Sequence, residues 1–168
     1  MVSSFASAEG FLEFEACDEP RFPGPRCLLL DVKMPGESGL ELQRRLAALG
    51  IALPVVFMSG GSSAAEAVQA MKAGALDFLI KPFDDNELLA VVERALARSA
   101  EDEKANLSLQ DAARRFATLS GREAQIARLV SNGLQNQQIA AELGIAERTV
   151  KLHRMHMMRK LGASNVIE

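Results

Sequence analysis

Beyond its carboxylates, two cysteines and two histidines are all that this 168-residue chain offers a zinc ion. Cys17 and Cys27 have no metal-binding spacing, and no four-ligand set can be assembled around them, which excludes a zinc module. His153 and His156 lack a third ligand and read as ordinary side chains of a helix. No apolar run approaches the ~20 residues that cross a bilayer. The N-terminus has no basic stretch leading into an apolar core, so neither a membrane span nor a secretory leader is expected. These absences predict a cytoplasmic protein, in whose reducing surroundings a disulfide would be out of place. Internal repeats and low-complexity tracts are missing as well.

What the chain does have is apolar content, 48%, enough for packed cores over a length that holds one medium domain or two small ones. Up to about Ser99, short apolar runs alternate with helical periodicities. Val2–Phe5 precedes a helical stretch over Ala6–Glu15, Cys27–Leu30 one over Leu40–Leu49, Val55–Met58 one over Ala64–Ala73, and Asp77–Ile80 one over Asp84–Leu96. That alternation predicts an α/β domain, a doubly wound parallel sheet with crossover helices. From Ala100 to Ala117 charge rises and strand signals vanish, which predicts a linker continuing the preceding helix. Only helical periods follow. The expected division is residues 1–99, an α/β domain; 100–117, a linker; and 118–168, an all-α domain.

Asp31 follows three leucines directly, which places a carboxylate at the C-terminal end of a buried strand, where open parallel sheets assemble their sites. The next strand ends in Ser59 and the one after in Lys81, so three polar side chains converge on one rim. A carboxylate can attack a phosphoryl group, a hydroxyl can bond the oxygens it gains, and an ammonium can neutralise the added charge. Lys81 precedes Pro82, a bond type that adopts cis far more readily than others. The segments Asp31-Val-Lys-Met-Pro35, Met58-Ser-Gly60, Ala70-Met-Lys-Ala-Gly-Ala75 and Ile80-Lys-Pro-Phe83 resemble the flavodoxin-like receiver domain of response regulators. The resemblance implies that Asp31 is the phosphoacceptor for a sensor histidine kinase. It makes Ser59 the hydroxyl that reorients on phosphorylation, Lys81 the phosphate partner and Phe78 the aromatic-switch residue. The surface from Ser63 through Phe83 to Leu96 becomes the phosphorylation-dependent dimer face. A dehalogenase-like reading fails, because that family needs a second acid two positions on, where this chain has Lys33.

Receivers of this family begin with a strand in the middle of the sheet, ending in an acidic pair that holds Mg²⁺ against the phosphoacceptor. Here Val2–Phe5 matches the second strand and Ala6–Phe14 the second helix, so the expected receiver is N-terminally incomplete, through truncation or a late-starting gene model. Of the Mg²⁺ ligands only Asp31 and the Lys33 carbonyl remain, too few to hold this cation well. Glu9, Glu13 and Glu15 lie on the later helix and are no replacement.

The segment Asn136–Leu161 reads as two short helices joined by a tight turn. Ile139, Ala140 and Leu143 form one apolar face, Gly144 supplies the positive φ of the turn, and Ile145 and Val150 lock the second helix across the first. Upstream, Ser120-Gly-Arg-Glu123 is a capping box that starts a scaffold helix carrying Ile126, Leu129 and Val130 inward. Residues 118–168 hold seven basic and four acidic side chains, whereas residues 1–100 hold nine and fourteen. A mildly acidic protein with a basic tip is the asymmetry of a nucleic-acid module joined to another module. The pattern is similar to the LuxR-type helix-turn-helix, and the whole chain to FixJ/NarL-type two-component transcription factors. The resemblance directs Lys151, Leu152 and Met155 into the major groove, Lys151 toward guanine and Met155 toward a thymine methyl. It leaves Arg148, Thr149, Arg154 and Arg159 for phosphates, and puts Gln137 where relatives often carry a phosphate-contacting lysine. Val150, Met158 and Leu161 are expected to face the core. Glu168 falls shortly into the fourth helix, through which such modules dimerise.

The expected function is that of a non-enzymatic, DNA-binding transcription regulator, a homodimer on double-stranded DNA when Asp31 is phosphorylated. Two alternatives stand beside it. One is a DNA binder indifferent to phosphorylation. The other is an interaction-only protein that titrates full-length regulators through its dimer face, which Gln137 and Gln138 favour.

Overall fold

The computed structural model describes residues 2–16, 24–61 and 64–163, in two compact units, Met1–Lys104 and Ala105–Glu168. Cys17, Ser63 at the start of the expected dimer face, and the expected fourth helix near the C-terminus lie outside the described residues.

The first unit is built on β1 (Leu28–Asp31), β2 (Val55–Ser59) and β3 (Asp77–Ile80), all parallel in the order β1-β2-β3. Leu30 stands opposite Phe57, and Phe57 opposite Phe78. Alternation along each strand sorts side chains into two cores. On one face Leu30, Val55 and Phe57 pack with α1 (Ala8–Glu15), α2 (Gly39–Ala48) and α3 (Ala64–Lys72) through Phe11, Leu42, Leu46 and Ala70. On the other, Val56 and Leu79 pack with Val91 and Ala95 of α4 (Asp85–Ala117). Both faces of the sheet are covered, which is why its strands read as continuous apolar runs.

The strand expected over Val2–Phe5 does not form. A strand exists only through hydrogen bonds to a neighbour, and β1 is paired with β2 alone among the described residues. Phe5 instead folds its ring against Phe11 and Phe14 of α1, with centroids 5.4 and 5.0 Å away, while Val2 is exposed. The helix after it starts at Ala8 rather than Ala6, where the Ser7 hydroxyl accepts from the Gly10 amide.

The charged stretch after Ser99 does continue the preceding helix. α4 runs for 33 residues, and those from Glu103 to Ala117 are exposed on every side. Among the described residues no helix is long and apolar enough to cross a membrane.

The second unit joins the end of α4 to α5 (Gly121–Ser131), α6 (Asn136–Leu143) and α7 (Glu147–Leu161). Ile126, Ile139, Ala140, Val150 and Met157 are buried together, with Leu129, Val130, Met158 and Leu161 packed around them. Gly144 adopts φ +63° at the end of α6, and the Ile145 amide closes the turn on the Ala140 carbonyl at 3.0 Å.

Candidate functional site

Asp31 ends β1 and Lys81 follows β3, so parallel strands deliver a carboxylate and an ammonium to the same rim. The Lys81 Nζ donates to Asp31 Oδ2 at 2.7 Å, and the Lys33 amide donates to Oδ1 at 3.0 Å. Partial burial raises the carboxyl's pKa, but the Lys81 hydrogen bond, the Lys33 amide and the Lys81 charge outweigh it, so the group lies below its usual 3.8. It is ionised near neutrality and remains half-exposed, the state a nucleophilic carboxylate needs. Ser59 is buried at the end of β2, between those two strands, and its carbonyl accepts from the Lys81 amide at 2.8 Å. The Lys81–Pro82 bond is cis. Phe78 stacks on Phe57 at 6.3 Å and is half-buried, so it belongs partly to the core.

The loop leaving Asp31 returns into α2 through a contact that periodicity did not reveal. A Cβ on Gly39 would collide with the Asp31 carbonyl oxygen and crowd Leu30 Cγ and Phe57 Cε1, each at 3.0 Å. The start of α2 therefore lies against the backbone of Asp31 itself. It is held by Ser38 and Glu41 in a capping box.

The residues present do not fit a resident Mg²⁺. Both oxygens of Asp31 already accept hydrogen bonds, and no group of three or more metal-ligating side chains occurs among the described residues. His153 and His156 belong to no such group either.

In the second unit α7 presents Lys151, Leu152 and Met155 outward, with Leu152 48% and Met155 57% exposed. Arg148, Arg159 and Gln137 are exposed, and Thr149 is half-buried. Arg154 is engaged within the fold, its Nη1 donating to Asn136 Oδ1 at 2.6 Å, so it bridges the two helices of the motif. Lys151 Nζ lies 2.9 Å from Glu147, a partner that spacing makes legible but that the charge count passed over.

Two further contacts tie the helices of this unit together. Arg122 donates to the Leu143 carbonyl at 2.9 Å, closing the end of α6. Lys160 Nζ donates to Glu123 Oε2 at 2.6 Å, while the same carboxylate oxygen accepts from the Ser120 amide at 2.7 Å. Those bonds, the Lys160 one foremost, bring the Glu123 pKa from 4.5 to about 2.

Comparison with known proteins agrees with this geometry. Residues 2–93 match the response regulator receiver domain, and residues 117–168 match the bacterial regulatory proteins of the luxR family. Nodulation protein W of Bradyrhizobium diazoefficiens is 46% identical, over 99% of this chain and 71% of its own length. The transcriptional regulatory protein FixJ of Rhizobium meliloti is 40% identical, over 98% of this chain and 78% of its own. Among solved structures, the response regulator StyR superposes with a TM-score of 0.77 at 43% identity, covering 97% of this chain and 80% of that one. Full-length FixJ from B. japonicum gives 0.53 at 38% identity, with 98% and 78% covered. A rim of Asp31, Ser59 and Lys81, an exposed basic helix and these matches over nearly the whole chain have one source: the protein belongs to the two-component response regulators of FixJ type, which couple a receiver domain to a LuxR-type DNA-binding domain.

Proposed function

We propose that the chain acts in the cytoplasm as a non-enzymatic transcription regulator whose Asp31 receives a phosphoryl group from the phosphohistidine of a sensor kinase. A carboxylate oxygen of Asp31 bonds to phosphorus as the phosphorus–nitrogen bond breaks, and the imidazole leaves with the electron pair. Lys81 then moves from the carboxylate to the added oxygens, and the Ser59 hydroxyl bonds one of them. The modified receivers pair through the surface around Phe83 and Leu96, and two copies present α7 to adjacent half-sites of double-stranded DNA. Lys151, Leu152 and Met155 read bases, while Arg148, Thr149, Arg159 and Gln137 hold the backbone, Arg154 bracing the motif from within.

The observation that carries this reading is the 2.7 Å contact between Lys81 and a carboxylate at the end of a buried strand, half-open to solvent. Incubation with radiolabelled acetyl phosphate tests it. Label is expected on the wild-type chain, released by alkali as an acyl phosphate should be, and absent from Asp31→Asn. Equal labelling of the variant sinks the assignment of Asp31.

A further inference from the structure

One side chain on the exposed face of α7 has no place in the roles above. Glu147 is the first residue of the helix, and its carboxylate is half-exposed and paired with Lys151 one turn later. Leu152 and Met155 continue the same outward strip. An exposed pair of this kind contributes little to stability. On a surface that meets a polyanion, a carboxylate is repelled wherever only phosphates are in reach.

We propose that Glu147 is a base-selecting residue, which accepts a hydrogen bond from the amino group of a cytosine close to the guanine taken by Lys151. The proposal rests on the reading that α7 enters the major groove. An ionised carboxylate is acceptor-only. Guanine and thymine present acceptors along that groove and repel it; cytosine N4 donates, and a carboxylate is its fitting partner. Lys151 has the opposite requirement, which guanine O6 and N7 meet. Four residues of helix separate the two side chains by about 6 Å, roughly two base steps at about 3.4 Å each.

The ion pair gives this arrangement a second effect. Off its site, Glu147 keeps Lys151 Nζ at 2.9 Å, so the lysine's charge is withheld from random phosphates. On its site, both side chains exchange each other for base edges. Glu147 thus favours the right sequence and weakens the hold on every other one, which is how discrimination rather than affinity is raised.

Selection from a random duplex library, using the full 168-residue chain, Glu147→Gln and Lys151→Ala, each first phosphorylated with acetyl phosphate and its label verified, tests this, with circular dichroism checking that each variant folds. The wild-type consensus is expected to hold a cytosine within about two base pairs of the guanine that Lys151→Ala loses. Glu147→Gln is expected to reduce the preference for that cytosine about tenfold. It should also tighten random-duplex binding, with a log-affinity against log-salt slope steeper by up to about one. A wild-type consensus that Glu147→Gln leaves unchanged overturns the role of Glu147 alone. A wild-type chain that enriches no consensus overturns the major-groove reading and this proposal with it.

Discussion

Glu123 serves two ends of its domain at once: its carboxylate closes the capping box on Ser120 and also accepts from Lys160 near the far end of α7. Its pKa in the folded chain, about 2, lies below the ordinary 4.5, so the folded state binds this proton less readily than the unfolded one. The contribution is complete above pH 4.5 and is lost as pH falls from there through about 2. Urea unfolding of the basic domain between those limits, followed by circular dichroism, is expected to show a falling midpoint whose slope is flatter in Glu123→Gln. An identical slope in the variant would reject the Lys160 link. At this scale the sequence was partly legible. Ser120 and Glu123 announce their capping box by spacing, but Lys160 stands 37 positions away and no local rule connects it. The pairing of Asp31 with Lys81, 50 positions apart, was legible because strand ends gather at one rim in a parallel sheet.

Elements were legible wherever burial on both faces of the sheet dictates apolar runs, as in β1 and β2, and less so where pairing decides. Val2–Phe5 has strand-like composition yet finds no ladder, and the Phe5 ring goes to α1 instead. The start of α2 shows the same limit. Apolar periodicity begins it at Leu40, whereas the helix begins at Gly39, the residue that touches the Asp31 carbonyl. Because backbone is what a Cβ would meet there, no rotamer change relieves the clash. Gly39→Ala is expected to cost the receiver about 1–3 kcal/mol, measured as a lower urea midpoint for the α/β signal at unchanged slope. A midpoint within error of wild type would mean that the loop after Asp31 has room to move.

For the molecule as a whole, the division of charge was visible along the sequence: an acidic first hundred residues and a basic last fifty-one, with a slightly acidic stretch between them, leave a net charge of only −3. What composition did not show is the length of α4. α4 is one unbroken helix of 33 residues, about 50 Å at 1.5 Å per residue. Its early turns are anchored by Val91 and Ala95, but from Glu103 to Ala117 it carries no buried face. Helix with no buried face is marginal in water at this length, and pairs such as Asp111–Arg115 add only tenths of a kcal/mol. This stretch is therefore the place where α4 opens most often. Lys104 and Arg114 lie in it, exposed. Brief trypsin treatment should cut there first and release two resistant pieces, separable by mass; first cuts at Arg44 or Arg128 would contradict this. In a cell the same opening sets the order of degradation: the receiver and the DNA-binding module would be parted before either is destroyed.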